Sequence, residues 1–103
     1  MTLPLTQDTY HWFSDDKFTL LKNKSIFVNV SRGAVVDINS LSNNLSKLRG
    51  AVLDVFEEEP LDINSDLWDK ENVIITPHNS FVGENNSKRF WELIYSNMLK
   101  YGV

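Results

Sequence analysis

Three short apolar runs, each followed at once by polar or charged residues, organise the hydrophobic pattern of this chain. They cover residues 26–30, 51–56 and 73–76. Runs of this length, rich in β-branched and aromatic residues, predict buried strands. The polar residues that follow the runs include Arg32, Glu59 and His78. If the three strands lie parallel, these side chains gather at one carboxyl edge, where open α/β sheets bind their ligands.

Two helices are predicted before and between these runs. Residues 14–22 begin with a serine and two aspartates, which suit the positive end of a helix dipole. A second helix carries Ile38, Leu41 and Leu45 at helical spacing. Either Asp37 or Asn39 can cap its N-terminus.

The alternation of strands and helices predicts an α/β fold with a parallel sheet and right-handed crossovers. In the first run Ile26, Val28 and Val30 point to one face of the sheet. Phe27 points to the other face, so both faces are expected to be covered, as in a parallel sheet between helices.

The longest predicted helix covers residues 84–101 and carries a wide apolar stripe. Phe90, Ile94 and Met98 recur every four residues along it, and three further apolar residues, Trp91, Tyr95 and Leu99, lie beside them. A stripe of this width needs a large partner surface.

The composition limits the possible functions. With 103 residues the chain fits one domain at most, and 42% hydrophobic residues are enough for a folded core. A net charge of -4 gives no basic stripe for nucleic acid. The chain has no cysteine, no membrane-length apolar run and no signal peptide, so we expect a cytoplasmic protein that binds neither nucleic acid nor membrane. Residues 1–6 look like the end of a strand with no strand before it, so we expect this chain to be part of a longer protein.

Arg32 and His78 are candidates for chemistry. The planar arginine fork suits a carboxylate, although Arg32 could equally pair with a nearby acidic residue or helix end. Histidine is the usual acid/base at neutral pH, but a lone histidine such as His78 is more often structural. His11 lies in a polar turn and is expected at the surface, and with two histidines in all we expect no metal site.

The carboxylates of the second run leave alternatives open. A run such as Glu57, Glu58 and Glu59 is usually a solvated loop, and only one member needs a role. Glu59 precedes Pro60, which restricts its backbone. Asp54 is placed within an apolar strand and needs donors, which could be backbone groups or the amide of a ligand.

Four motifs resemble one known family when taken in order. They are residues 3–6 (LPLT) with Thr9, residues 29–37 (NVSRGAVVD), residues 53–56 (LDVF) with Glu59 and Pro60, and residues 72–78 (NVIITPH). Together they resemble the C-terminal part of the D-isomer-specific 2-hydroxyacid dehydrogenases. The resemblance implies a partial Rossmann-like sheet with flanking helices, a fragment of a doubly wound NAD-binding domain.

The resemblance also implies roles for individual residues. Arg32 matches the arginine that binds the substrate carboxylate, His78 the acid/base, and Glu59 the glutamate that holds that histidine. The positions implied to lie at the cofactor are Pro4, Val30, Ser31, Arg32, Asp54, His78 and Ser80. Among them, Asp54 matches the carboxylate that anchors the nicotinamide carboxamide.

The family's glycine-rich GxGxxG fingerprint and its separate substrate domain are missing from this sequence. We therefore interpret residues 1–103 as the C-terminal half of an NAD-binding domain. The resemblance implies a parent oxidoreductase that uses NAD or NADP, with NAD favoured, on a 2-hydroxy or 2-keto acid, and a homodimer. The fragment alone is expected to be inactive. The alternative is a non-enzymatic, dehydrogenase-like interaction or dimerisation module.

Overall fold

The computed structural model describes residues 1–102, which form three strands and three α-helices linked by short 3-10 helices. In chain order the strands and α-helices are α1 (Asp15–Leu20), β1 (Ile26–Asn29), α2 (Ile38–Asn44), β2 (Gly50–Leu53), β3 (Val73–Ile75) and α3 (Asn86–Tyr101). The 3-10 helices are Gln7–Thr9, Gly33–Val35 and Asp66–Asp69. Val103 lies outside the described range.

The three strands form one parallel sheet in the order β1-β2-β3. Phe27, Ala51 and Val73 lie side by side in its register. The predicted strands and their parallel arrangement are therefore confirmed, but each strand is shorter than predicted. In particular β2 ends at Leu53, so Asp54 follows the strand instead of lying within it.

The core lies on one face of the sheet, under α1 and α2. Phe18 and Leu41 are fully buried there, as is Leu53 from β2. Each fully buried side chain of this size contributes about 1.5–3 kcal/mol relative to an exposed one. Asp37 is the cap of α2, because its carboxylate accepts the N–H of Asn39 at 3.2 Å.

The opposite face of the sheet is exposed, which corrects the expectation that both faces are covered. Ile26 and Ile74 are each 61% exposed, and Val28 and Val30 are also exposed. Side chains alternate along a strand, and α1 and α2 lie on the Phe27 side. Strand alternation therefore gave the two faces correctly, but it did not show which of them is covered.

Helix α3 begins two residues later than predicted and buries none of its side chains. Asn85, immediately before it, has a left-handed backbone with φ of 61°. Trp91 is 65% exposed and Leu99 is 69% exposed. In residues 1–102 no helix has the length and apolar character needed to cross a membrane.

Candidate functional site

Asp54 lies immediately after β2, and its buried carboxylate holds the loop that follows β3. Its Oδ1 accepts hydrogen bonds from the Thr76 hydroxyl and from the N–H of Asn79 at 3.0 Å. Its Oδ2 accepts the N–H of Ser80 at 2.9 Å. Only 1% of Asp54 is exposed. The protein therefore supplies three donors to this carboxylate, as the structural alternative for Asp54 requires.

The surroundings of Asp54 keep its carboxyl ionised. Burial alone would raise the pKa, but the hydrogen bonds from Thr76, Ser80 and Asn79 outweigh it and hold the pKa well below its usual range. A charged anchor therefore lies at the base of the loop that carries His78. The predicted contact of Asp54 and Ser80 with a nicotinamide stays a prediction.

This loop presents His78 in an unusual backbone conformation. His78 has φ of 51°, in the left-handed region that costs energy for a residue with a side chain. Its N–H donates to the Thr76 carbonyl at 3.0 Å, and the contacts of Asp54 with Thr76 and Ser80 bracket it. The loop therefore sets the direction in which the imidazole points.

Glu59 contacts that imidazole from the loop after β2. Its Oε2 lies 2.8 Å from His78 Nδ1, and its Oε1 accepts the N–H of Phe56 at 2.9 Å. The Phe56 N–H is the larger cause, and His78 the next, of a lowered pKa for Glu59. Since an ionised carboxylate only accepts hydrogen bonds, the proton between the two groups resides on Nδ1. The other ring nitrogen, Nε2, is then the one that can exchange a proton with a ligand.

A cavity of about 400 Å³ lies beside the pair formed by His78 and Glu59. Apart from the pair itself its walls are mostly apolar, with Phe56, Leu61 and Trp68 among them. A small organic molecule could therefore lie next to an acid/base group that is itself 39% exposed.

Asn29, at the end of β1, shapes the turn that carries Arg32 and was missed by the sequence analysis. Its buried side chain accepts the Ser31 N–H at 3.1 Å and the Ser31 hydroxyl at 2.8 Å. Its amide group donates to the carbonyl of Arg32 at 3.2 Å. The available signal was an asparagine inside an apolar strand, because such a residue must find polar partners when buried.

The side chain of Arg32 is exposed and points into a different opening. Its Nη1 donates to the Ser31 carbonyl at 2.7 Å. Pro4, Val30, Ser31 and Arg32 line one open groove of about 670 Å³. No side-chain hydrogen bond within residues 1–102 joins Arg32 to Glu59 or His78. The structure thus pairs two of the three predicted catalytic residues and leaves the arginine in a separate groove.

Gly33 allows the Arg32 turn to pack against the loop after β2. A Cβ at this position would lie 1.8 Å from the carbonyl carbon of Phe56 and 2.3 Å from the nitrogen of Glu57. Gly33 is not among the residues with a left-handed backbone. The need for glycine at this position therefore comes from close backbone packing and not from a left-handed backbone.

A second histidine and glutamate pair lies on the other side of this loop. His11 Nε2 is 2.8 Å from one carboxylate oxygen of Glu57, and the Tyr10 hydroxyl donates to the other at 2.7 Å. The bond with His11, followed by that with Tyr10, lowers the pKa of Glu57. Both side chains are solvent-accessible, as expected for a solvated loop and a surface histidine, but the sequence did not show that the two are paired.

The part of the chain that the structure describes holds no group of three or more histidine, aspartate or glutamate side chains placed to bind a metal ion. The site instead presents an imidazole paired with a carboxylate at His78 and an exposed guanidinium at Arg32.

Comparison with known proteins supplies a family. A model described as the D-isomer specific 2-hydroxyacid dehydrogenase NAD binding domain matches residues 1–80. Glyoxylate reductase of Pyrococcus horikoshii is 37% identical over 103 residues, which cover 98% of this chain and 30% of that protein. Glyoxylate/hydroxypyruvate reductase B of Shigella dysenteriae is 46% identical over 80 residues, which cover 76% of this chain and 25% of that protein.

A solved structure agrees with these similarities. It is a probable 2-hydroxyacid dehydrogenase from Rhizobium etli in complex with NADP, HEPES and L(+)-tartaric acid. It matches with a TM-score of 0.78 and 33% identity, over 98% of this chain and 34% of that one. The chain spans less than a third of the two reductases and about a third of this structure.

Proposed function

We propose that this chain, which belongs to the D-isomer-specific 2-hydroxyacid dehydrogenase family, carries the acid/base and substrate-binding groups of an NAD(P)-dependent active site. The reaction is hydride transfer between a nicotinamide and a 2-hydroxy or 2-keto acid. The observation that carries this proposal is the contact of His78 Nδ1 with an ionised Glu59 beside a cavity at the carboxyl edge of the sheet.

His78 exchanges the proton of the reaction through Nε2. In the reducing direction the imidazolium donates this proton to the carbonyl oxygen of the keto acid, and in the oxidising direction the neutral ring removes it from the hydroxyl. Glu59 keeps the proton on Nδ1 and so fixes the orientation and tautomer of the ring. The bound nicotinamide supplies or accepts the hydride.

Arg32 binds the substrate carboxylate in this proposal. Its exposed guanidinium has donors available for two parallel, charge-assisted hydrogen bonds. Since it lines a different opening from His78, a substrate that contacts both must lie across the edge of the sheet above β1 and β2. A small acid such as glyoxylate, named for the Pyrococcus horikoshii relative, is the kind of molecule to test first.

The residues present fit one end of a dinucleotide. Pro4, Val30 and Ser31 line the groove beside Arg32 and would hold the cofactor there. Asp54 fits a carboxamide less well, because its carboxylate already accepts three hydrogen bonds and is almost fully buried. A glycine-rich GxGxxG turn does not occur in the sequence, so the pyrophosphate lacks its usual binding element in this chain. Both NAD and NADP are compatible with the proposal.

The substrate part of the proposal can be tested on the chain itself by NMR. We expect addition of glyoxylate or hydroxypyruvate to shift the side-chain signal of Arg32 and the ring signals of His78. Arg32→Gln removes the first of these signals and should abolish the shift of the His78 ring signals. The matched control is Arg49→Gln, which removes the same charge at the amino end of β2 and should preserve the shifts at both Arg32 and His78. Unchanged spectra with excess keto acid, or an equal His78 shift in the Arg32 variant, would contradict the proposal.

We further propose that residues 1–103 are the C-terminal half of an NAD-binding domain and that this isolated chain is inactive, because its sequence contains no GxGxxG turn to bind the pyrophosphate. Mixing it with a keto acid and NADH or NADPH should give no loss of nicotinamide absorbance. A calorimetric titration should likewise detect no tight dinucleotide binding. Micromolar binding of either dinucleotide would overturn this part of the proposal while leaving the test of Arg32 unaffected.

Self-association, as a homodimer or as a non-enzymatic interaction module, is the second proposal. It is supported by the exposed apolar side chains of α3 and of the uncovered sheet face, since such surfaces favour burial against another chain. Sedimentation velocity should show a concentration-dependent increase in mass. A monomer at the highest attainable concentration would contradict it.

A cytoplasmic location also stays a prediction.

A further inference from the structure

We propose that Glu57 is a positioning residue that, through His11, fixes the loop carrying Glu59. The loop is fixed against the turn after β1, where Arg32 lies. The proposal rests on the proposed role of Glu59 as the partner of His78, and it concerns contacts outside that pair.

Both carboxylate oxygens of Glu57 have a partner from the N-terminal segment. Tyr10 donates its hydroxyl to Oε1 at 2.7 Å, and His11 Nε2 lies 2.8 Å from Oε2. Hydrogen bonds to an ionised carboxylate are about twice as strong as neutral ones. Glu57 is therefore held at two points, which is more than a solvated loop residue requires.

The backbone of His11 is adapted to this arrangement. Side chains of neighbouring residues in an extended chain point to opposite sides. His11 instead has φ of 47°, and its ring stacks on that of Tyr10 with centroids 4.0 Å apart and an angle of 17° between the planes. This left-handed conformation costs energy and lets two adjacent side chains reach one carboxylate. The backbone geometry thus indicates that the contact of Tyr10 and His11 with Glu57 is a specific feature of the fold.

His11 is also attached to the turn that carries Arg32. Its N–H donates to the carbonyl of Ala34 at 2.7 Å, and the N–H of Phe13 donates to the carbonyl of Val35 at 3.0 Å. The segment around His11 therefore runs along the residues that directly follow the turn. The contact of Glu57 with His11 therefore connects the loop after β2 to the turn that carries Arg32.

Two residues after Glu57, the same loop carries Glu59, which contacts His78. Phe56 and Glu57 pack against the backbone of Gly33, and the Phe56 N–H donates to Glu59 at 2.9 Å. Loss of the Glu57 contacts would remove the side-chain hydrogen bonds that join this loop to Tyr10 and His11. Since acid/base groups need their geometry held within about 0.5 Å, this attachment matters for the Glu59 carboxylate.

The test uses NMR on the whole chain, which contains only two histidines, His11 and His78. His11→Asn removes the ring, keeps a residue type that tolerates a left-handed backbone, and leaves His78 as the sole imidazole. Two signals are followed: the ring nitrogen spectrum of His78, which reports where its proton resides, and amide hydrogen exchange at Phe56. Glu57→Gln is the second variant. Glu58→Gln is the control, because it removes the same charge from the exposed neighbouring residue.

We expect both test variants to give about tenfold faster exchange at Phe56, as for loss of a hydrogen bond to a charged acceptor. The His78 spectrum should change from a single Nδ1–H form to a mixture. Glu58→Gln should leave both signals unchanged, and the Asp54 amide, bonded to Asn29, should stay protected in every variant. If either folded test variant matches the control, the proposal is overturned. Neither signal involves a dinucleotide or keto acid, so failure of the proposed function would not produce this result.

Discussion

The sheet with α1 and α2 differs from α3 in how its apolar residues are used. In the sheet unit Phe18, Leu41 and Val35 are completely buried. In α3 the large apolar side chains of Trp91 and Leu99 are 65% and 69% exposed, and no residue of the helix is buried. Helical spacing of apolar residues thus predicts the helix in both regions, but it predicts burial only where another element lies opposite.

The two regions also differ in what stabilises their helices. Helix α2 has seven residues, most of them serine or asparagine, and is stabilised by a cap and by packing of Leu41. Helix α3 has sixteen residues and depends on its own length and on weak surface pairs such as Lys88 with Glu92 at 3.8 Å. Short helices are marginal alone in water, so α2 requires tertiary packing more than α3 does.

The largest effect is expected in the packed region, for Leu41→Ala. Removing a fully buried leucine side chain leaves a cavity between α2 and the sheet, and should lower the free energy of unfolding by about 3 kcal/mol. Urea unfolding followed by far-ultraviolet circular dichroism measures this loss. A loss below about 1 kcal/mol would mean that the core collapses around the deletion.

The next effect is expected for Asp54→Asn at the carboxyl edge of the sheet. An amide nitrogen in place of one carboxylate oxygen faces a donor, either Ser80 or the pair Thr76 and Asn79, and we expect a loss of about 2 kcal/mol. Amide exchange at Asn79 and Ser80 should accelerate first. The exposed Asp69→Asn is a matched control and should change the stability by less than about 0.5 kcal/mol.

The pH dependence of stability should report the same carboxylate. The pKa values of Asp54 and Glu59 are lower in the folded protein than in the unfolded chain. Their stabilisation is therefore complete above the unfolded values, about 4, and is lost as the pH falls below them. Urea midpoints measured from pH 6 downwards should fall less steeply with decreasing pH for Asp54→Asn than for the unsubstituted chain. Parallel plots of the urea midpoint against pH for these two proteins would contradict this assignment.

The sequence was sufficient for the fold of the packed region. Apolar runs bounded by polar residues predicted all three strands, and the spacing of Leu41 and Leu45 predicted α2. Strand ends were less accurate, because Asp54 leaves the ladder to bind the loop after β3, and such a long-range contact is not visible in local spacing. The exposed sheet face was missed for a similar reason, since alternation identifies two faces without showing what lies on each.

The site was predicted in part. Family motifs pointed to His78 and Glu59, and the structure brings these side chains together. They gave no indication of the contact between His11 and Glu57, because the two residues are 46 positions apart and each looks like an ordinary surface residue. The close approach of Gly33 to the Phe56 peptide was also hidden, because a glycine before a helix suggests turn flexibility first.

A smaller effect is expected at the cap of α2. Asp37→Ala removes the acceptor for the N–H of Asn39 and for the Ser40 hydroxyl, and should cost about 1 kcal/mol. Asn39→Ala tests the alternative cap and should cost less than about 0.5 kcal/mol, since Asn39 lies inside the helix. Equal losses in urea unfolding would mean that the two residues share the capping role.

The smallest effect is expected for Leu99→Ala, which makes the same chemical change as Leu41→Ala on the exposed helix α3. An exposed side chain loses little buried surface when truncated, and alanine favours helix at least as well as leucine, so we expect a change below about 0.5 kcal/mol. The comparison is direct because one assay measures both variants. A loss above about 1.5 kcal/mol that grows with protein concentration would show that α3 is covered by a second copy in solution. The contrast between the two regions would then belong to the monomer alone, because the apolar stripe of α3 would be a core shared between chains.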